Sequence, residues 1–356
     1  MDRRPHNAGH HRLTGKSGIK LPALLLAAFA GGASAAHAED RPANEKGVLS
    51  LVVENDSLSS GADRNYTSGI KLAYVSPAAG VPDWLQNLGG GLTRQVSNAE
   101  PSFWGIGLGQ SIFTPEDIEA NPAPPDQHPY AGWLYAQIMI AAEQDAPPGE
   151  ADYLDTYEFE FGMVGPSALG EEAQSGIHEF LGAPDPQGWD SQLHDEFAFA
   201  FSYDRRWRSL RAFINVPGGL EADLTTNAGA TLGTLRTEAR VGAIARIGYR
   251  IDSDYGPPRV RPSLSGVEHF RGGPLAWSVF AGVQGRGVAR NLFLDGNTFQ
   301  DSPSVDRIPW VADFQTGVAV SAGDWRLAYT FVWRTDEFEN QSGRQDFGAL
   351  AFSWRL

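Results

Sequence analysis

The chain has 356 residues, with 43 acidic against 28 basic side chains, a formal charge of −15 and no cysteine. The missing cysteines exclude disulfides, thiol chemistry and cysteine metal sites. The acidic balance opposes nucleic-acid binding and suits divalent cations, or a membrane surface bridged by them.

Residues 1–38 read as a cleaved secretory signal. Arg3, Arg4, Arg12, Lys16 and Lys20 make a basic start, Leu21 to Ala30 is apolar, and Ala36-His37-Ala38 is a small-x-small cleavage site. The apolar run is short for a membrane anchor, and no later stretch offers about 18 consecutive apolar residues for a spanning helix. Residues 39–356 read as one domain without a linker or internal repeat. An exported chain of this kind is periplasmic, secreted or a β-barrel.

Alternation with period two then runs through the chain. Strands are predicted at 48–55, 66–76, 103–113, 132–142, 153–164, 195–206, 221–232, 238–250, 276–287, 309–320, 324–334 and 346–355. One face of each is bulky and often aromatic: Trp325, Leu327, Tyr329, Phe331 and Trp333, for example, against Arg326, Ala328, Thr330, Val332 and Arg334. A soluble sandwich would show a polar outer face. Bulky residues on one face with glycines or charges on the other are the pattern of a transmembrane barrel, apolar toward lipid and polar toward the lumen. The predicted fold is all-β: an up-and-down antiparallel transmembrane β-barrel of about twelve strands in the bacterial outer membrane, with a short helix in one extracellular loop. The final strand, with Phe352, Trp354 and Leu356, closes it.

Candidate chemistry begins at the first hairpin, where a strand ends in Asn55-Asp56 and the next begins Tyr66-Thr67. Ordinary turn chemistry also favours Asn and Asp there. Strict alternation sends Glu54, Asp56, Thr67, Gly69 and Lys71 inward and Asn55, Tyr66, Ile70 and Leu72 outward, so Asp56 and Thr67 are expected to approach one another at the rim.

Three long connections follow, at 114–131, 165–194 and 288–308. The second carries a predicted helix, with Pro166 and Ser167 suited to its start and Gly182 to its stop. Gln174 and His178 lie at i and i+4, on one face. Beyond residue 38 the histidines are His128, His178, His194 and His269, and His178 alone sits on a predicted helix beside a polar partner. A rim histidine meeting only water is the plain alternative; histidine is also the usual general base near neutral pH. Asp56 and nearby carbonyls are oxygen ligands suited to Ca²⁺. Together these residues fit metal-assisted ester hydrolysis. No G-x-S-x-G, H-E-x-x-H, phosphate-loop or EF-hand pattern is present.

The chain resembles the outer-membrane lipid A deacylase family. The resemblance rests on Glu54-Asn55-Asp56, Asp63-Arg64-Asn65-Tyr66-Thr67-Ser68-Gly69, Pro129-Tyr130-Ala131-Gly132-Trp133-Leu134, Val164-Gly165-Pro166, Gln174 with His178, and Gly188-Trp189-Asp190-Ser191-Gln192-Leu193. It implies a twelve-stranded barrel with an active site at the outer rim, between the wall and a loop helix. It also implies calcium-dependent removal of a 3′ acyloxyacyl group from lipid A in the outer leaflet. By the same resemblance His178 activates water, Asp56 with Asn55 holds Ca²⁺, and Asn55, Thr67 and Gln174 support the metal, the oxyanion or the base. Two departures stand out. A family glutamate six residues after the histidine falls on Pro184, leaving Glu179 and Glu196 as candidate substitutes. The family's basic head-group contacts have no match in the acidic 114–129 segment. The alternatives are a phospholipase of the same membrane and a non-enzymatic structural barrel or channel. A monomer is expected.

Overall fold

A computed structural model describes residues 46–58, 65–78, 80–87, 101–144, 151–214, 219–251, 270, 272–343 and 345–356. The predicted signal segment, Asp63, Arg64 and His269 lie outside the described residues. Within them, twelve strands form one closed antiparallel barrel. In chain order they are β1 (Val48–Asn55), β2 (Asn65–Val75), β3 (Phe103–Thr114), β4 (Ala131–Gln144), β5 (Tyr153–Val164), β6 (Glu196–Ile214), β7 (Leu220–Gly233), β8 (Arg236–Tyr249), β9 (Gly273–Asn291), β10 (Trp310–Gly323), β11 (Trp325–Arg334) and β12 (Gln345–Arg355). The wall closes between β1 and β12, with Val48 opposite Arg355 at what we term the lower end and Asn55 opposite Gly348 at the upper end.

Most boundaries fall within a few residues of the sequence reading. The largest differences are β6, which continues to Ile214, and β9, which spans Gly273–Asn291. In β6 the register slips between Arg208 and Leu210. Arg208 is buried and Leu210 exposed, so the clean alternation used to find strands stops where that strand continues.

The two faces differ as a barrel in lipid requires. Leu72, Leu108, Phe197, Leu232 and Val241 are exposed on the outer face. Trp325 opposite Trp354 places an aromatic pair near the lower end, and Trp310 is exposed near the upper end; such rings suit the membrane interfaces. The lumen is packed. Gly105 and Gly109 on β3 leave room for Met139 and Tyr135 from β4, and a Cβ at Gly109 would lie 2.4 Å from the Tyr135 ring. Trp133 donates to Glu160 Oε1 (3.0 Å), whose other oxygen accepts from Arg236 (2.7 Å). Further round the wall Arg240 pairs with Asp204 and Arg246 with Asp223.

Removing one member of such a buried pair leaves the other charge without its counter-ion, which costs about 3–5 kcal/mol. Asp223→Ala is therefore expected to lower the urea midpoint of barrel unfolding in lipid vesicles markedly, and Asp223→Leu combined with Arg246→Met to recover much of the loss. A single variant as stable as the parent would show that the pair does not hold the wall.

Two upper connections turn inward and cap the lumen. Phe293, in the short helix α2 (Leu292–Asp295), stacks on Phe113 at 4.1 Å, and His128 stacks on the same ring at 5.4 Å. Burial pushes the His128 pKa down, so this imidazole is a neutral packing group. Below the cap lies a space lined by Arg236, Arg286 and Arg334 against Glu54, Glu238 and Glu337.

Candidate active site

None of the five candidate residues lines the lumen space. Asn55 lies instead in a row of paired residues across the outer face near the upper end; Asp56 follows it in the chain, and Thr67 precedes Ser68 of the same row. Asn55 pairs with Gly348 on one side and Ser68 on the other; Ser68 pairs with Ile112, and Ile112 with Gly132. The row crosses β12, β1, β2, β3 and β4, and the span from β1 to β3 is about 10 Å at the usual strand spacing.

Strict alternation fails at the second strand. The register slips between Tyr66 and Ser68, leaving Thr67 as the extra residue of a bulge. A bulge re-aims the side chains beside it. Tyr66, expected outward, turns into the lumen and donates to Glu54. Thr67, expected inward, places its hydroxyl 2.6 Å from that of Thr114. Thr114 shares its face with the exposed Ile106 and Leu108, so Thr67 reaches the outer face.

The Asn55-Asp56 segment bends the same way. Asn55 keeps the outward parity expected of it, and the chain then folds into a single 3₁₀ turn, Asp56–Leu58. Leu58 lies over Gly348, where a Cβ would come within 2.7 Å of it, and its carbonyl accepts from Tyr329 (2.8 Å). Gly348 and Tyr329 share their faces with exposed Leu350 and Leu327. The turn therefore lies against the outer wall, with Asp56 only 1% exposed, in place of the inward continuation expected at this strand end.

The helix closes the other end of the row. Its start differs from the expectation: Pro166–Ala168 is a 3₁₀ turn, Leu169 adopts a left-handed conformation (φ 57°), and the α-helix α1 runs Gly170–Leu181. The left-handed residue interrupts what Pro166 had begun and redirects the chain onto the wall. There Gly132 and Gly170 let two backbones meet: a Cβ on Gly170 would lie 3.0 Å from Gly132 Cα, and one on Gly132 would lie 3.1 Å from Gly170 N. Gln110, on the outer face of β3, ties down the preceding turn by donating to the Ala168 (2.7 Å) and Leu169 (3.0 Å) carbonyls. Ile112, Tyr130 and Trp189 form an apolar cluster against Ala173 of α1.

Gln174 and His178 occupy the buried face of this helix, at 2% and 4% exposure. At its end Gly182 takes the left-handed cap (φ 67°), and the Ala183 N–H donates to the His178 carbonyl (2.9 Å). The cap turns the chain back, and the Pro184 carbonyl oxygen meets His178 Nδ1 at 2.5 Å. A carbonyl only accepts, so Nδ1 carries the proton and Nε2 is the basic nitrogen of the neutral ring. The position where the resemblance expects a glutamate thus still supplies an acceptor, from the main chain. Neither proposed substitute does so: Glu179 is exposed, and Glu196 accepts from Thr298 N (2.7 Å) and Asn297 Nδ2 (3.1 Å), tying down another connection.

Asn55, Asp56 and Thr67 offer an amide oxygen, a carboxylate and a hydroxyl, and no soft ligand. Such a set fits a hard cation that keeps water and carbonyl ligands. Among the described residues no group of three or more His, Asp or Glu is placed to hold a metal. Sequence reasoning did not name Thr114, and it named Trp189 only within a matched block and Pro184 only as the place of a missing carboxylate. The part the Pro184 carbonyl plays carried no sequence signal, because every residue has a carbonyl.

The family model described as outer membrane protein LpxR matches residues 23–356. No curated relative matches. Among solved structures, LpxR from Salmonella typhimurium is 20% identical, covers 87% of this chain and 100% of its own, and superposes with a TM-score of 0.67. The β-domain of the Bordetella autotransporter BrkA is 9% identical over 88% of this chain and 99% of its own, with a TM-score of 0.38.

Proposed function

The chain belongs to the LpxR family of outer membrane proteins, and from that premise we propose that it is a calcium-dependent acyl-ester hydrolase that removes an acyloxyacyl chain from lipid A. The barrel sits in the bacterial outer membrane. In this reading the upper end faces outward, and the site meets lipid from the membrane side of the wall. The observation that carries the proposal is the bond from His178 Nδ1 to the Pro184 carbonyl, which leaves Nε2 as the base on a buried helix face.

Water adds to the ester carbonyl carbon as its proton passes to His178 Nε2. The carbonyl oxygen becomes an oxyanion, for which the Gln174 amide is the nearby donor on the same face. The ester C–O bond then breaks, and the imidazolium returns the proton to the leaving alkoxide, giving a fatty acid and an alcohol. Asp56 and Asn55 would hold the cation, with the Thr67 hydroxyl as a further oxygen; a bound Ca²⁺ supplies Lewis-acid polarisation of the ester carbonyl.

A second reading, a phospholipase, draws on one feature. Glu116, Asp117, Glu119 and Asp126 are exposed on the 115–130 connection, which carries no lysine or arginine where the resemblance expects basic contacts to the lipid A head group. The test offers lipid A and phospholipid in parallel to purified protein in detergent, with mass spectrometry as readout. Loss of an acyloxyacyl group from lipid A is expected with Ca²⁺ and not with EDTA. Asp56→Ala should raise the Ca²⁺ needed for half-maximal rate at least about tenfold, the usual scale for losing one ligand or its support. Intact lipid A with cleaved phospholipid would move the assignment to the second reading, and no hydrolysis of either would sink both.

A further inference from the structure

We propose that Trp189 is a positioning residue that sets the Gln174 amide so that its NH₂ group, and not its oxygen, faces the reacting ester. The inference rests on the hydrolase reading above and assigns a device within it. Trp189 Nε1 donates to Gln174 Oε1 at 3.0 Å, and both side chains are 2% exposed. An indole nitrogen has only a proton to offer. It therefore selects the amide oxygen and sends Nε2 the other way, and among the described residues that buried Nε2 has no hydrogen-bond partner. A buried donor left unmet in a native structure calls for a reason. One turn from His178, on the same helix face, an acceptor that arrives with substrate supplies it: the ester oxygen as it becomes an oxyanion.

The indole is itself held. It packs on Tyr130 with ring centroids 4.8 Å apart, and the Tyr130 hydroxyl donates to the Ile118 carbonyl (3.0 Å). Its six-membered ring lies over Gly170, where a Cβ would come within 2.7 Å. The 3₁₀ turn Trp189–Ser191 is closed by Ser191 Oγ donating to the Gly188 carbonyl (2.8 Å). A donor fixed at both ring and backbone keeps the amide from flipping, which is the preorganisation an oxyanion donor needs.

The test is a kinetic cycle on lipid A with Ca²⁺ present. Trp189→Phe, which keeps a ring but removes the N–H, should lower kcat about tenfold and leave KM within about twofold, the signature of an interaction made in the transition state. Gln174→Ala should lower kcat about 10²-fold, the scale of one lost oxyanion donor. Trp189→Phe added to Gln174→Ala should then cost nothing more, because the two act as one unit. Additive losses, or a Trp189→Phe rate equal to the parent, would overturn the assignment. If the phenyl ring disturbs the fold, replacing Trp189 by benzothienylalanine, which has sulfur in place of the N–H, asks the same question at constant shape. His178→Ala run alongside separates the two failures. A parent protein that leaves lipid A intact defeats the hydrolase reading and an active His178→Ala protein defeats the base assigned in it, whereas an inactive His178→Ala with a fully active Trp189→Phe protein defeats only the role of the indole.

Discussion

His178→Asn is expected to lower lipid A hydrolysis by about 10²–10⁴-fold, the usual contribution of a general base, while the barrel stays folded. The substitution is chosen for its geometry. Asparagine keeps an N–H in the region of Nδ1, able to donate to the Pro184 carbonyl that now lies 2.5 Å away, but it offers no basic nitrogen in place of Nε2. His178→Ala removes both functions. If His178 acts as the base, the two variants lose activity alike. If the residue serves only to tie the end of α1 to the segment after it, asparagine should rescue much of what alanine loses. Mass spectrometry of lipid A gives the rate, and heat-modifiable migration of the folded barrel in gels separates chemistry from folding. A His178→Asn protein with near-parental activity would end the proposal that this histidine activates water.

The second large effect is expected from a residue with no side chain. Gly132→Val should reduce hydrolysis about as severely as loss of His178, with the barrel still assembled. A Cβ at this position already stands 3.1 Å from both Ala168 Cβ and Gly170 N, and valine adds two methyl groups. Backbone on the far side cannot yield as a flexible side chain would. The helix must lift from the wall, and with it the face bearing Gln174 and His178. Near-attack geometry tolerates little displacement: about 1 Å of misplacement can cost about 10²-fold. The strand itself has less to lose, because Gly132 faces outward and β-branched residues suit strands. Activity lost together with the folded barrel would assign the glycine to assembly, and retained activity would show that α1 need not sit against β4.

The strands were legible because the bilayer demands a simple code. Every second residue of a spanning strand meets lipid, so period two is written into Trp325 to Arg334 or Leu350 to Arg355 without reference to the rest of the chain. The partners Gln174 and His178 were legible for a similar reason, since i and i+4 on a helix is also a local rule. What could not be read was the side of the wall. Alternation placed Thr67 with Lys71 in the lumen, and one bulged residue placed it outside with Thr114. A bulge depends on how two strands pair, and Asn65 finds Thr114 only across a connection that period-two counting does not see.

The sequence by itself determined an exported all-β barrel, the order of its strands, and residue types suited to ester hydrolysis with a hard cation. Only the tertiary structure decided that Asn55 lies in a row of paired residues on the outer face, with Asp56 and Thr67 beside it in the chain and the helix that carries Gln174 and His178 laid against Gly132 at the other end of the row. It also decided that the acceptor behind His178 is the Pro184 carbonyl. Local patterns fix which face a residue takes while the ladder is regular. Where a bulge, a left-handed cap or a glycine contact breaks that regularity, direction is set by partners distant in the chain, and the candidate site residues lie near those breaks.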